Sequence, residues 1–256
     1  MPNYHFQVKA ISRGKGRSVT KLANYISGCK LHDCYKDKTY YNRREDVLFC
    51  KIFQPSCAPP EFHDLQSLCN EIEKAEVRYD ARTAREFVGS LPNELPIQEL
   101  ERIVEEFVER NFMLYGLCAI AAIHEGRNET DPTRNNPHVH IIVPTRSVEV
   151  NGFCKMKNRE WDKRVYINIW RQQWAELQNQ AYERNGLDIR VSHRSLEVQG
   201  KYDREPTIHL SLVDWQKEKR GERTPAGDRK RSIQKRNDER ARQRRLQQER
   251  TLDRFR

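Results

Sequence analysis

The segment Asn136-Pro137-His138-Val139-His140-Ile141-Ile142 places two histidines one residue apart inside an apolar, β-branched run. On a strand, side chains alternate, so His138 and His140 share one face while Val139 and Ile141 occupy the other. Two neutral imidazoles side by side can hold one divalent cation through their ring nitrogens. His124 closes the preceding apolar run, Leu117 to His124. An antiparallel neighbour joined by the 125–137 loop would bring it beside the pair. Three imidazoles accept several divalent ions, with Mg2+ or Mn2+ expected here. Taken alone, the pair reads more readily as two ordinary polar positions on a half-exposed strand, and His124 brings the two readings level. The sequence has no CxxC or HExxH, so a structural zinc or zincin site has no support.

Two further residues could join such a centre. Tyr25 falls outside the helical stripe Val19, Leu22, Ala23 and Ile26. At 100° per residue its hydroxyl is free to face a cleft, with Lys21 one turn away; the plainer alternative is a partly buried structural tyrosine. Glu86 shares strand parity with Ala84 and Val88, which puts a carboxylate on an otherwise apolar face. Such a group pairs with an arginine, orients a metal ligand or acts as a base. A tyrosine beside a histidine-held cation suits phosphodiester transesterification. The hydroxyl attacks phosphorus, the cation polarises the non-bridging oxygens, and a 5′-phosphotyrosyl link conserves the bond for rejoining.

The elements that must position these groups are legible in outline. Alternation predicts a strand over 4–11, and Ser18 caps a helix that Gly28 ends. Spacing predicts helices over 61–76, from Pro96 onward, and over 165–185, with strands over 83–91, 117–124 and 138–144. Residues 29–60 are poorly periodic and read as irregular. Interspersed strands and helices predict an α+β domain with one sheet and helices packed on it.

Of the net charge of +10, residues 216–256 carry 16 basic and 7 acidic side chains, leaving the first 215 residues close to neutral. The expected organisation is a folded body, 1–215, and a basic tail, 216–256, partly helical or disordered and too poor in apolar residues to pack a core by itself. Arg242, Arg244, Arg245 and Arg250 suit phosphate contacts, unless the tail is only a solvated linker. No apolar run approaches a membrane span, which excludes an integral helical membrane protein. The first residues lack the apolar core of a secretory signal. Seven cysteines without paired spacing are expected as reduced thiols in a cytosol.

The ordered segments SVTKLANYI, AREFVGSLPNEL, IHEGRN…NPHVHIIVPTR, WRQQWAELQNQAYERNG and IRVSHRSLEVQG resemble the MobA/MobL family of plasmid mobilisation relaxases, among the HUH (His-hydrophobic-His) endonucleases. The likeness runs over about residues 1–212. It implies a central antiparallel sheet flanked by helices, nicking of one DNA strand at a transfer origin, and covalent capture of the 5′ end. By position, it implies Tyr25 as nucleophile, His124, His138 and His140 as metal ligands, and Glu86 as the acidic site residue. Cys69 replaces a tryptophan of many relatives, and Ser192 an aspartate before the His-Arg pair. The alternative nucleophile is Tyr166, which follows the HxH motif as in rolling-circle replication initiators. A non-catalytic DNA-binding scaffold is the reading from a different class. The implied partners are single-stranded DNA with an adjacent hairpin or duplex, accessory DNA-processing proteins and a coupling protein, in a bacterial cytoplasm. Tyr40, Tyr41 and Phe49 are candidate stacking residues for the strand.

Overall fold

The computed structural model describes residues 4–129, 131, 132 and 135–254. They form two compact units, residues 1–193 and 194–256 by number. This contact-based division falls before the compositional one at 215/216.

In the larger unit, described residues build a five-stranded antiparallel sheet in the order β1-β5-β7-β6-β4. These strands are β1 (Phe6–Ser12), β4 (Val47–Phe53), β5 (Arg82–Ser90), β6 (Ala119–His124) and β7 (His138–Pro144). Helices α1 (Val19–Ser27) and α2 (Leu65–Lys74) cover one face. Their Val19, Ala23, Ile26, Leu68 and Ile72 pack on Ile11, Ala84, Ile120, Ala122 and Ile142. Helices α3 (Ile97–Asn111) and α4 (Arg164–Arg184) cover the other, through an aromatic core that includes Phe6, Phe87, Phe107 and Trp174. Both faces are therefore buried, which explains why the central strands β6 and β7 read as continuous apolar runs. Trp174 lies so close to Gly89 that a Cβ there would overlap its indole, while its Nε1 donates to the Ser90 carbonyl at 3.1 Å.

Local chemistry sets the element ends. Ser18 accepts the Lys21 N–H at the start of α1. Gly28, at φ +73°, terminates the helix, a left-handed position that glycine adopts without steric cost. Asp64 caps α2 through the Ser67 N–H, so the expected 61–76 helix is divided into a short 3-10 turn (Pro60–His63) and α2. Pro96 stands at the N-cap of α3.

The 29–60 segment is not irregular. It holds a small hairpin, β2 (Leu31–Asp33) with β3 (Lys38–Tyr40), and β4, an edge strand of the main sheet. A register shift between Val47 and Phe49 breaks the period-2 pattern of β4, and an edge strand needs no fully apolar face. A second short hairpin, β8 (Val148–Glu149) with β9 (Gly152–Phe153), follows β7. All seven cysteines are free thiols, and Cys69 is packed within the α1–α2 side of the core.

The smaller unit contains α5 (Leu212–Lys219) and α6 (Pro225–Arg254). Its organisation is mainly ionic, as its composition requires. Arg236 and Arg240 meet Glu205 at 2.7 and 3.0 Å, and Arg244 pairs with Asp203. Arg242 and Arg245 are exposed; the Arg250 side chain lies outside the described residues. Among the described residues, no helix is long and apolar enough to cross a membrane.

Candidate active site

Pairing in the sheet assembles the histidines. His124 and His138 stand opposite each other in the β6–β7 ladder, and His140 follows two residues along on the same face. The three ring centroids are 5.0 to 5.3 Å apart, and one nitrogen from each ring lies within 4.8 Å of the other two. The other nitrogens are engaged. His124 Nε2 donates to the Ile26 carbonyl at 2.8 Å, His138 Nδ1 to the Asn136 carbonyl at 2.8 Å, and His140 Nδ1 to Glu86 Oε1 at 3.0 Å. Each partner can only accept, so each tautomer is fixed and a lone pair remains on His124 Nδ1, His138 Nε2 and His140 Nε2.

His124 Nδ1 is buried with no hydrogen-bond partner, a costly state for a polar atom unless something else fills the position. Burial pulls His124 down to about 4 and lowers His138 as well, so these imidazoles are neutral near pH 7. Neutral nitrogen donors, each oriented by an acceptor on its other nitrogen, fit a divalent cation.

Glu86 lies on β5 opposite Ile142, on the histidine face. Burial raises its carboxyl, but hydrogen bonds from His140 and Arg17 outweigh burial and take it to about 2. Two of the alternatives open in the sequence therefore hold together: Glu86 pairs with Arg17 and also orients a histidine.

Tyr25 is in the last turn of α1, 42% exposed. Its ring packs edge-on against His124 and His140, with centroids at 6.0 and 5.9 Å. The cation on its ring is Arg44, 4.6 Å from the centroid, rather than the neighbouring Lys21. A groove of about 510 Å³ runs past this tyrosine, lined by Arg17, Lys21, Tyr25, Tyr40, Tyr41 and Asn42 among others.

The structure does not bring Tyr166 to the histidines. Tyr166 packs on Trp170, which meets Phe87, and Phe87 points to the sheet face opposite Glu86. Phe49 also packs against that aromatic core, so of the three stacking candidates only Tyr40 and Tyr41 border the groove. Sequence reasoning missed the roles of Arg17 and Arg44. Arg17 was visible only as one of several cations in a Gly-rich loop, and nothing in the local pattern marked Arg44.

The chain between β6 and β7 leaves and returns through a narrow clasp. The Asn136 N–H donates to the Gly126 carbonyl at 3.0 Å. Gly126 has φ +59°, and a side chain there would collide with the Asn136 carbonyl oxygen, the atom that orients His138.

The MobA/MobL family profile matches residues 17–220. The chain belongs to the MobA/MobL family. Among similar MobA-type proteins, a probable mobilization protein MobA of Bifidobacterium longum is 31% identical over 252 residues, covering 82% of this chain and 43% of that protein. A conjugal transfer protein TraA of Agrobacterium fabrum is 28% identical, over 81% of this chain and 21% of that protein. This MobA/MobL chain thus spans less than half the length of either relative. A chain solved for the molecular basis of vancomycin resistance transfer in Staphylococcus aureus superposes with a TM-score of 0.67 and 28% identity, covering 76% of this chain and 100% of that one. The conjugative relaxase TrwC in complex with oriT DNA, in a metal-bound structure, has the same fold at 12% identity, with a TM-score of 0.51 over 92% of this chain and 98% of that one. The α+β fold with a central antiparallel sheet, expected from the sequence, is the fold this chain shares with these two structures.

Proposed function

We propose that this chain is the strand-nicking relaxase part of a mobilisation protein, acting on single-stranded DNA at a transfer origin. The Tyr25 oxygen attacks a phosphodiester phosphorus. The new bond joins Tyr25 to the 5′ phosphate, the bond to O3′ breaks, and the strand leaves with a 3′-hydroxyl. The phenol gives up one proton and the departing oxygen takes one, so the step needs no co-reactant. A divalent cation, Mg2+ or Mn2+, held by His124, His138 and His140 would supply charge to the non-bridging oxygens. Glu86 holds the His140 tautomer and stays ionised. Arg17, Lys21, Tyr40 and Tyr41 line the path of the strand, where cations meet phosphates and rings stack on bases.

The observation that supports this reading best is the placement of the Tyr25 ring against two of three histidines whose free nitrogens converge. A duplex or hairpin next to the nick, accessory DNA-processing proteins, a coupling protein and a bacterial cytoplasm complete the proposal, as the family resemblance implies. The basic face of α6 at Arg242 and Arg245 would add salt-sensitive phosphate contacts.

The test is a denaturing-gel assay with Mg2+ or Mn2+ and labelled single strands from candidate origins. Wild-type protein is expected to give a covalent band that disappears completely in Tyr25→Phe and on chelation. A band that survives in Tyr25→Phe moves the nucleophile elsewhere. Binding of the native origin without any adduct identifies a non-catalytic scaffold.

A further inference from the structure

The nucleophile proposed above stands near a helix end and is partly open to solvent, which raises the question of what holds it in line. The histidine rings stand nearly perpendicular to it, at 77° and 87°, and do not stack on it. Its face is covered by Arg44, whose guanidinium carbon is 4.6 Å from the ring centroid. A planar guanidinium over an aromatic face is a favourable and orienting contact.

Arg44 is itself held. Its Nε and Nη2 donate to the two carboxylate oxygens of Asp46 at 2.7 and 2.6 Å, a two-pronged pairing that fixes the plane of the fork. The Arg44 side chain is 16% exposed. The supporting backbone is tied to the histidine end of the sheet, because the Asp46 carbonyl accepts the Glu125 N–H at 2.9 Å and Val47 pairs with His124. On the other side, Gly28 lets the end of α1 approach Arg44: a Cβ at Gly28 would stand 3.2 Å from the Arg44 nitrogen. Segment 44–47 is thus fastened both to the helix that carries Tyr25 and to the strand that carries His124.

This half-buried arginine–aspartate pair joins residues only two apart in one segment and ties no distant elements together. Here its effect is to seat a flat cation on one chosen ring. We propose that Arg44, locked by Asp46, is the positioning residue for Tyr25, holding the phenol ring over the histidine cluster in the orientation for attack. The proposal rests on the relaxase reading only for the word attack; the restraint on the ring stands apart from it.

The test uses the full chain with Arg44→Ala, Arg44→Lys and Asp46→Asn, the last freeing Arg44 without altering any atom on Tyr25. The DNA probe is the single-stranded oligonucleotide that gives the strongest Tyr25-dependent adduct. At saturating DNA, Arg44→Ala is expected to slow single-turnover adduct formation by about 100-fold, the effect of a misplacement of about 1 Å. Its Kd for the same strand in chelator is expected to change by less than about twofold, since orientation and binding separate in such a measurement. Arg44→Lys should recover only part of the rate, because an ammonium keeps the charge and loses the plane; Asp46→Asn should fall between.

A second readout needs neither metal nor catalysis. With 3-fluorotyrosine at position 25 and chelator present, wild type should give one displaced fluorine resonance, and Arg44→Ala a signal close to that of free fluorotyrosine. An unchanged rate, equal losses of rate and DNA affinity, or an unchanged fluorine signal would each overturn the proposal. If Arg44→Ala fails to fold, Asp46→Asn and Arg44→Lys decide by the same criteria. If wild type forms no adduct at all, the relaxase reading fails while the fluorine measurement still decides whether Arg44 restrains the ring.

Discussion

Two buried carboxylate networks lie on the same side of the sheet and end differently. In the first, Glu73 accepts Arg13 Nε at 3.0 Å and the Val19 N–H at 2.9 Å. Nearby Glu76 accepts Arg146 Nε at 2.8 Å, Lys157 Nζ at 2.7 Å and Thr145 Oγ1 at 3.2 Å. Guanidinium and ammonium groups have no lone pair to offer, so this network is closed and ties α1, α2 and the end of β7 together. In the second, Glu86 meets Arg17 on one oxygen and His140 on the other. Imidazole has a second nitrogen, so this network continues into the space between three histidines. Burial and residue type are the same in both. The difference lies in whether the last group can still accept something.

The largest effect that would break this contrast is on stability. Glu73→Ala leaves Arg13 buried without its carboxylate and is expected to cost about 3–5 kcal/mol, the range for removing one partner of a buried pair. Denaturant unfolding measures it, and calorimetric Mn2+ affinity should not change below the transition. A Glu73→Ala protein that loses Mn2+ binding while fully folded would make the two networks one.

Next in size, Glu86→Gln should weaken Mn2+ binding by about 10–100-fold, as loss of an outer partner of a ligating histidine does. Equal affinities in wild type and Glu86→Gln would remove Glu86 from the centre. The smallest effect is on pH dependence without metal. Glu86 is shifted from 4.5 to about 2 in the fold, so its stabilising contribution is complete above 4.5 and is lost as pH falls toward 2. Thermal melts of chelated protein over that interval should fall more steeply for wild type than for Glu86→Gln. Parallel curves would mean that the carboxylate is not stabilised in this way.

How far the sequence reached depended on distance along the chain. His138 and His140 share a face by parity alone, and His124 needed only the next strand, so local rules sufficed. Tyr25 stood out because it left the apolar stripe of its helix, and the buried strands β6 and β7 stood out by composition. Arg44 could not be found this way. Its meaning depends on β4 joining β6, and β4 hid behind a register shift and an edge position that erase alternation. For the same reason Lys21, adjacent by helical spacing, looked like the cation for Tyr25, when a residue 19 positions away covers the ring. The ion pairs between α6 and residues 203 and 205 were equally out of reach, since charge counts show an excess and not which charges are matched.

The clasp between Gly126 and Asn136 has a consequence for how such proteins diversify. Because a backbone hydrogen bond closes the loop there, the residues between the two can grow, shrink or change composition while the histidines on either side keep their register. Variation is quarantined from the chemistry. A loop beside the histidines can thereby be rewritten at little risk to the cluster, and a protein engineer can graft the same segment between relatives at the same two residues.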